Sequence, residues 1–261
     1  MPMRGAEEAP FAPAFYPFQN GVKFGSLEKG VRAVKKLGYA GIGSVYPRDV
    51  AGLLAACEGE GLKVFSVYVG GKVSADGFEY GREVAEAIDH LKGTGALVEL
   101  YVQRGRNPND EQAVAFVREI AGLAKDAGLK VVLYPHVNFH IERVDHAARI
   151  AKAAGMENVG VAFNLCHFLK VQSGDDLAAT LREAKPWLWS VSICGADADG
   201  KDWGTLIRPL DEGTFDQAGL LGMLRGMDYR GAVGLQCFNI KIDAKENLSR
   251  SMEAWEKLIS R

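Results

Sequence analysis

The sequence predicts a closed (β/α)8 barrel running as one domain over residues 1–261, and three observations carry that reading. Eight short apolar runs alternate with eight amphipathic patterns from end to end, which calls for parallel strands joined by right-handed helical crossovers. The length of 261 residues suits eight such units. No Pro/Gly/Ser-rich linker or shift in composition divides the chain. The competing fold is a doubly wound open sheet. It calls for a G-x-G-x-x-G turn after the first strand, and FYPFQNGVKFGS (15–26) has none, so no nucleotide cofactor is expected.

In chain order the strands are expected at AFYPF (14–18), AGIGSV (40–45), LKVFSVYV (62–69), ALVELYV (96–102), KVVLYPH (130–136), NVGVAFN (158–164), WLWSVSI (187–193) and GAVGLQC (231–237). The intervening helical patterns occupy 26–38, 47–61, 78–93, 111–128, 141–155, 175–185, 215–227 and 246–259. Several place apolar residues at i, i+3, i+4 and i+7, the spacing of a helix with one buried face. Gly38, Gly61, Gly128 and Gly155 stand where a helix should stop and a strand begin.

Period-two alternation then assigns the lumen. Gly160, Ala162 and Asn164 share one face of the sixth strand, with Val161 and Phe163 on the other. Ser190 and Ser192, then Ala232, Gly234 and Gln236, repeat the pattern on the seventh and eighth, and Val132, Tyr134 and His136 on the fifth. Each inward series ends in a polar residue at the C-terminal end of its strand, the end where barrel active sites lie: His136, Asn164, Ser192 and Gln236.

Composition excludes several function classes. A formal charge of −2 gives no field for nucleic acid or an anionic membrane, and no uninterrupted apolar run is long enough to span a bilayer. The opening MPMRGAEEAPFAPAFYPF carries two acids and four prolines without a long apolar core, so it does not read as a secretory signal. Four cysteines lacking C-x-x-C spacing suit a reduced, cytoplasmic-type protein.

KLGYAGI (36–42), the ends of strands five to eight and SMEAW (251–255) resemble the sugar phosphate isomerase/epimerase family of xylose isomerase-like TIM barrels. The resemblance implies one divalent metal held by carboxylates and a histidine at the ends of strands five to eight, with proton transfer beside a sugar carbonyl. This sequence departs at all four positions, placing His136, Asn164, Ser192 and Gln236 there, and Gly43 where a glutamate often follows the second strand. What matches is His167, three residues beyond Asn164. Runs such as LYPH, FNLCHFL and GLQ resemble an atypical branch of these barrels.

The residues admit several roles. His136 and His167 are candidate bases or, with Asn164 and Gln236, ligands of one divalent ion (zinc or manganese), although uncharged donors suit a softer ion or none. Glu99, alone in an apolar strand, is a candidate acid/base with a raised pKa if its face is luminal. Asn164, Gln236 and Ser192 are candidate hydrogen-bonders of sugar hydroxyls, Trp203 a stacking surface, Asp197 a loop contact and Arg104 an anion clamp, alongside Arg106 and Arg208. The expected partner is a small carbohydrate, with a homodimer as one possible assembly. The expected activity is isomerisation or epimerisation by proton abstraction next to a carbonyl. The alternatives are a lyase or hydratase acting on keto-glycosides and a non-catalytic carbohydrate binder.

Overall fold

The computed structural model describes residues 11–260, and most of the N-terminal stretch read above lies outside them. Among the described residues ten strands form: β1 (Phe15–Pro17), β2 (Gly41–Ile42), β3 (Lys63–Val64), β4 (Ser66–Ser74), β5 (Gly77–Tyr80), β6 (Leu97–Arg104), β7 (Lys130–Leu133), β8 (Val159–Asn164), β9 (Leu188–Ile193) and β10 (Val233–Leu235). Strand β3 and β4 make one stave interrupted at Phe65, so eight parallel staves surround the lumen. β1 closes the ring against β10 through the register Phe15↔Val233. On its other edge, Gly43 N donates to Pro17 O at 3.1 Å and Gln19 N to Gly43 O at 2.9 Å. A Val45↔Val67 bridge carries the second stave onto the third.

The surrounding helices are α1 (Leu27–Lys36), α2 (Val50–Glu60), α3 (Glu83–His90), α4 (Asp110–Asp126), α5 (Val144–Ala154), α6 (Leu165–Val171), α7 (Leu177–Ala184), α8 (Trp203–Leu206), α9 (Gln217–Gly226) and α10 (Ala244–Ile259). All four glycines expected to stop helices adopt positive φ, between +65° and +84°, a region open to glycine without a Cβ penalty. No helix among the described residues is long and apolar enough to cross a membrane.

Two elements differ from the sequence reading. Residues 78–80 are not helical: Gly77–Tyr80 pairs antiparallel with Gly71–Ser74 as a hairpin, and the helix starts only at Glu83. Ala75-Asp76 make the two-residue turn, Gly77 opens the return strand at φ +155°, and the aromatics that follow suit a pleated surface packed on Phe116. Residues 165–171 form a short helix, so His167 stands on α6.

The alternation of faces is as expected. Val131, Leu133, Val161, Phe163, Val191, Val233 and Leu235 join the large core between sheet and helices. A separate luminal cluster gathers Tyr16, Phe18, Val132, Tyr134 and Ala162, with Phe65 and Tyr68 against it. Tyr16 and Phe65 stack at 4.3 Å across the lumen. Gly43 lies against this pair: a Cβ there would overlap the Tyr16 ring and come within 2.9 Å of Ser66 Oγ. Gly43→Ala is therefore expected to destabilise the barrel by about 1–3 kcal/mol, the usual cost of overpacking. Denaturant unfolding checks this, and an unchanged midpoint would count against so tight a lumen.

Candidate active site

The polar ends of the late staves rise above the luminal aromatics. After β7 the chain makes a compact loop in which His136 N donates to Ile141 O at 3.0 Å and His140 N to Val102 O at 2.8 Å. Within it, His136 Nδ1 meets Val137 O at 2.8 Å. A carbonyl can only accept, so Nδ1 carries the proton and Nε2 keeps its lone pair. Phe139 stacks on the His136 ring at 4.0 Å.

Strand β8 delivers the second imidazole. Asn164 caps α6, its Oδ1 accepting from His167 N at 3.4 Å and from Cys166 Sγ at 3.0 Å, while Nδ2 donates to Tyr134 Oη at 2.5 Å. This cap puts His167 in the first turn, its ring centroid 4.1 Å from that of His136 and 5.5 Å from that of Trp203. Burial and the neighbouring His136 hold His167 well below the ordinary histidine range, and its Nδ1 is sealed off without a partner. Burial lowers His136 as well, so both rings are neutral near pH 7.

Gln236 follows β10. Its Oε1 accepts from Asn20 Nδ2 at 2.7 Å and from Phe238 N at 3.0 Å, which leaves the amide NH2 to donate elsewhere. His136, His167 and Gln236 line one cavity of about 300 Å³. Tyr46, Tyr68, Tyr134, Trp203 and Phe238 give it aromatic walls, and Asn20, Ser44 and Ile207 complete it. Among the described residues, no Asp, Glu, Lys or Arg is in that lining.

The other expected residues fall elsewhere. Asn164 stands behind the wall, bonded to Tyr134, and Ser192 is buried with its Oγ towards Phe163 O at 3.5 Å. Arg104 donates from Nε to Phe139 O at 2.7 Å and pairs with Glu142, so it braces the His136 loop and does not line the cavity. Asp197 is paired with Arg208 at 2.9 Å, also off the cavity. Glu99 is luminal and 1% exposed; its Oε1 accepts from Ser66 Oγ at 2.9 Å and Oε2 has no partner. Burial pushes its carboxyl up to about 7. Ser66 Oγ in turn accepts from Ser44 N at 2.8 Å, which links Glu99 to the cavity wall. Sequence reasoning missed Asn20, Ser44, Tyr46 and Ile207. The first three follow the first two staves, and the strand-end rule would have found them had it been applied there too.

These donors do not fit a carboxylate-held metal. Gln236 Oε1 and both Asn164 polar atoms are engaged with protein partners, no carboxylate among the described residues lines the cavity, and Cys166 with burial keeps the Cys194 thiol well above its ordinary range. The one group of three metal-capable side chains among the described residues, Asp110, His140 and His146, is not part of this cavity.

Comparison with known proteins places the fold. An apo 3-keto-D-glucoside 4-epimerase from E. coli superposes with a TM-score of 0.72 at 18% identity, over 94% of this chain and 99% of the other. The IolI protein with a bound zinc atom gives 0.72 at 16% identity, over 95% and 98%. A D-allulose 3-epimerase from Methylomonas sp. in complex with D-allulose gives 0.70 at 15% identity, over 94% and 96%. A sequence search among curated proteins finds no match. The family model for the xylose isomerase-like TIM barrel matches residues 31–258, and the chain belongs to that family.

Proposed function

We propose that this barrel isomerises or epimerises a neutral keto-sugar, with His136 carrying the proton. The observation behind this reading is a pair of neutral, touching imidazoles in an aromatic-walled cavity whose lining, among the described residues, holds no charged side chain. A volume of about 300 Å³ lies at the small end for ligand sites and suits one monosaccharide ring. Aromatic faces accept the apolar face of a sugar, while the amides of Asn20 and Gln236 and the Ser44 hydroxyl meet its oxygens. With no guanidinium or ammonium in the wall, a phosphate group would be left without a counter-charge, so the substrate class is unphosphorylated.

In the reaction, His136 Nε2 takes a proton from the carbon beside the carbonyl, and the negative charge moves to the carbonyl oxygen. The free NH2 of Gln236 donates to that oxygen as the charge develops. His136 then returns that proton on the same face to the former carbonyl carbon, while the hydroxyl proton of the first carbon passes to the former carbonyl oxygen and the new C=O forms, which completes isomerisation. Epimerisation instead needs water to protonate the opposite face of the first carbon. The adjacent rings of His136 and His167 approach from one side, which favours same-face transfer between adjacent carbons over two-base inversion. The fold similarity to proteins named as epimerases of 3-keto-glucosides and of allulose supports the carbohydrate class.

The test is to incubate the protein in deuterium oxide with neutral ketoses, 3-keto-glycosides and their phosphate esters and to follow carbon-bound deuterium by NMR. Exchange with neutral sugars and none with the esters is expected. Exchange accompanied by loss of a β-substituent would convert the reading to a lyase. Binding of every sugar without exchange at any carbon would reject catalysis.

A further inference from the structure

We propose that Asp110, His140 and His146 form a binding site for one divalent transition ion, zinc above all, on the barrel rim and separate from the central cavity. Two stretches distant in sequence meet there. Asp110 opens α4, His140 lies within the loop after β7, and His146 lies in the first turn of α5. The Nε2 atoms of both histidines point at the same oxygen, Asp110 Oδ1, each at 2.9 Å. Their rings stand edge to face at 5.4 Å, so two nitrogens and a carboxylate converge from three directions.

Two imidazoles and one carboxylate are a borderline-soft set that suits zinc better than magnesium or calcium. With arms of about 2.1 Å, the edges of a tetrahedral zinc site are roughly 3.4 Å long, so the observed 2.9 Å contacts need open by only about half an ångström. Asp110 is 55% exposed at its side chain, which leaves the fourth position to water, whereas the histidine side chains at 11% and 16% are held in place. The backbones are fixed independently of any ion. Asn109 caps α4 by accepting from Gln112 N at 2.9 Å, and His140 N is bonded to Val102 O. Asp110 and Glu111 in the first turn offset the partial positive charge of the α4 N-terminus, which would otherwise repel a cation.

The position gives the ion a structural consequence. His140 directly follows Phe139, whose ring lies on His136, so an ion at the rim ties the His136 loop to α4 and α5 at once. The site stands whether or not the central cavity is catalytic.

The decisive experiment is calorimetric titration of chelator-treated full-length protein with zinc, repeated with cobalt(II) so that its visible absorption reports tetrahedral nitrogen and oxygen ligation. One ion per chain is expected. Asp110→Asn, which preserves shape, and His146→Gln should each weaken binding by roughly tenfold or more, while the double variant His136→Ala/His167→Ala should bind as the wild type does. Wild-type protein that takes up no ion overturns the proposal. So does binding that survives in Asp110→Asn and His146→Gln, or that disappears with the central pair.

Discussion

His136→Ala should slow carbon–hydrogen exchange on a neutral keto-sugar by roughly 10²–10⁴-fold, the range a positioned general base contributes. The ring stacks on Phe139 and bonds only through Nδ1 to the adjacent residue's carbonyl, so its removal leaves the loop's backbone bonds to Ile141 and Val102 in place. Circular dichroism and melting should therefore move little while turnover falls. The pH profile carries a second signature. A base must be unprotonated, and burial holds His136 below the usual histidine value of 6.5, so the acidic limb of kcat/KM should lie below that pH. An Ala variant as active as the wild type, or a wild-type limb above 6.5, would remove His136 from the chemistry.

Glu99→Gln should change the pH dependence of stability more than any other single substitution in the lumen. The Glu99 carboxyl moves from 4.5 to about 7 on folding because burial penalises its charge. A raised folded value means that the folded state holds the proton more tightly. The resulting stability is fully present below about pH 4.5 and is lost as the pH rises through about 7. At roughly 1.4 kcal/mol per unit, the wild type should lose about 3 kcal/mol relative to the Gln variant between acid and about pH 8. Urea unfolding of both proteins across that window isolates the difference, since every other titrating group cancels. Parallel curves would mean that Glu99 is already ionised and solvated at neutral pH.

Much of the barrel was legible because its signals are local. Alternation along each stave and glycines at helix ends depend on neighbours within a few residues, and both sorted lumen from outer core correctly at Val161, Phe163 and Ala162. The hairpin at Gly77–Tyr80 was missed because its aromatics also fit the helical pattern that follows. His136 and Gln236 share a cavity because strand ends share a face, and His167, singled out by its spacing from Asn164, reaches the same cavity from the first turn of α6. Asn164 shows the limit of that rule: it has the right parity, but capping α6 and holding Tyr134 take up its amide. The Asp110–His140–His146 meeting could not be read at all, since its members are 30 and 36 residues from Asp110 and only the helix layer brings them together.

The tight fit of Gly43 under Tyr16 couples two positions of the chain. A glutamate at position 43 has no room while that phenol fills the space it would need. Placing an acidic group there would first require a smaller residue at 16, and that change alone leaves a hole in the lumen. Any redesign of this corner of the barrel therefore has to alter both positions together.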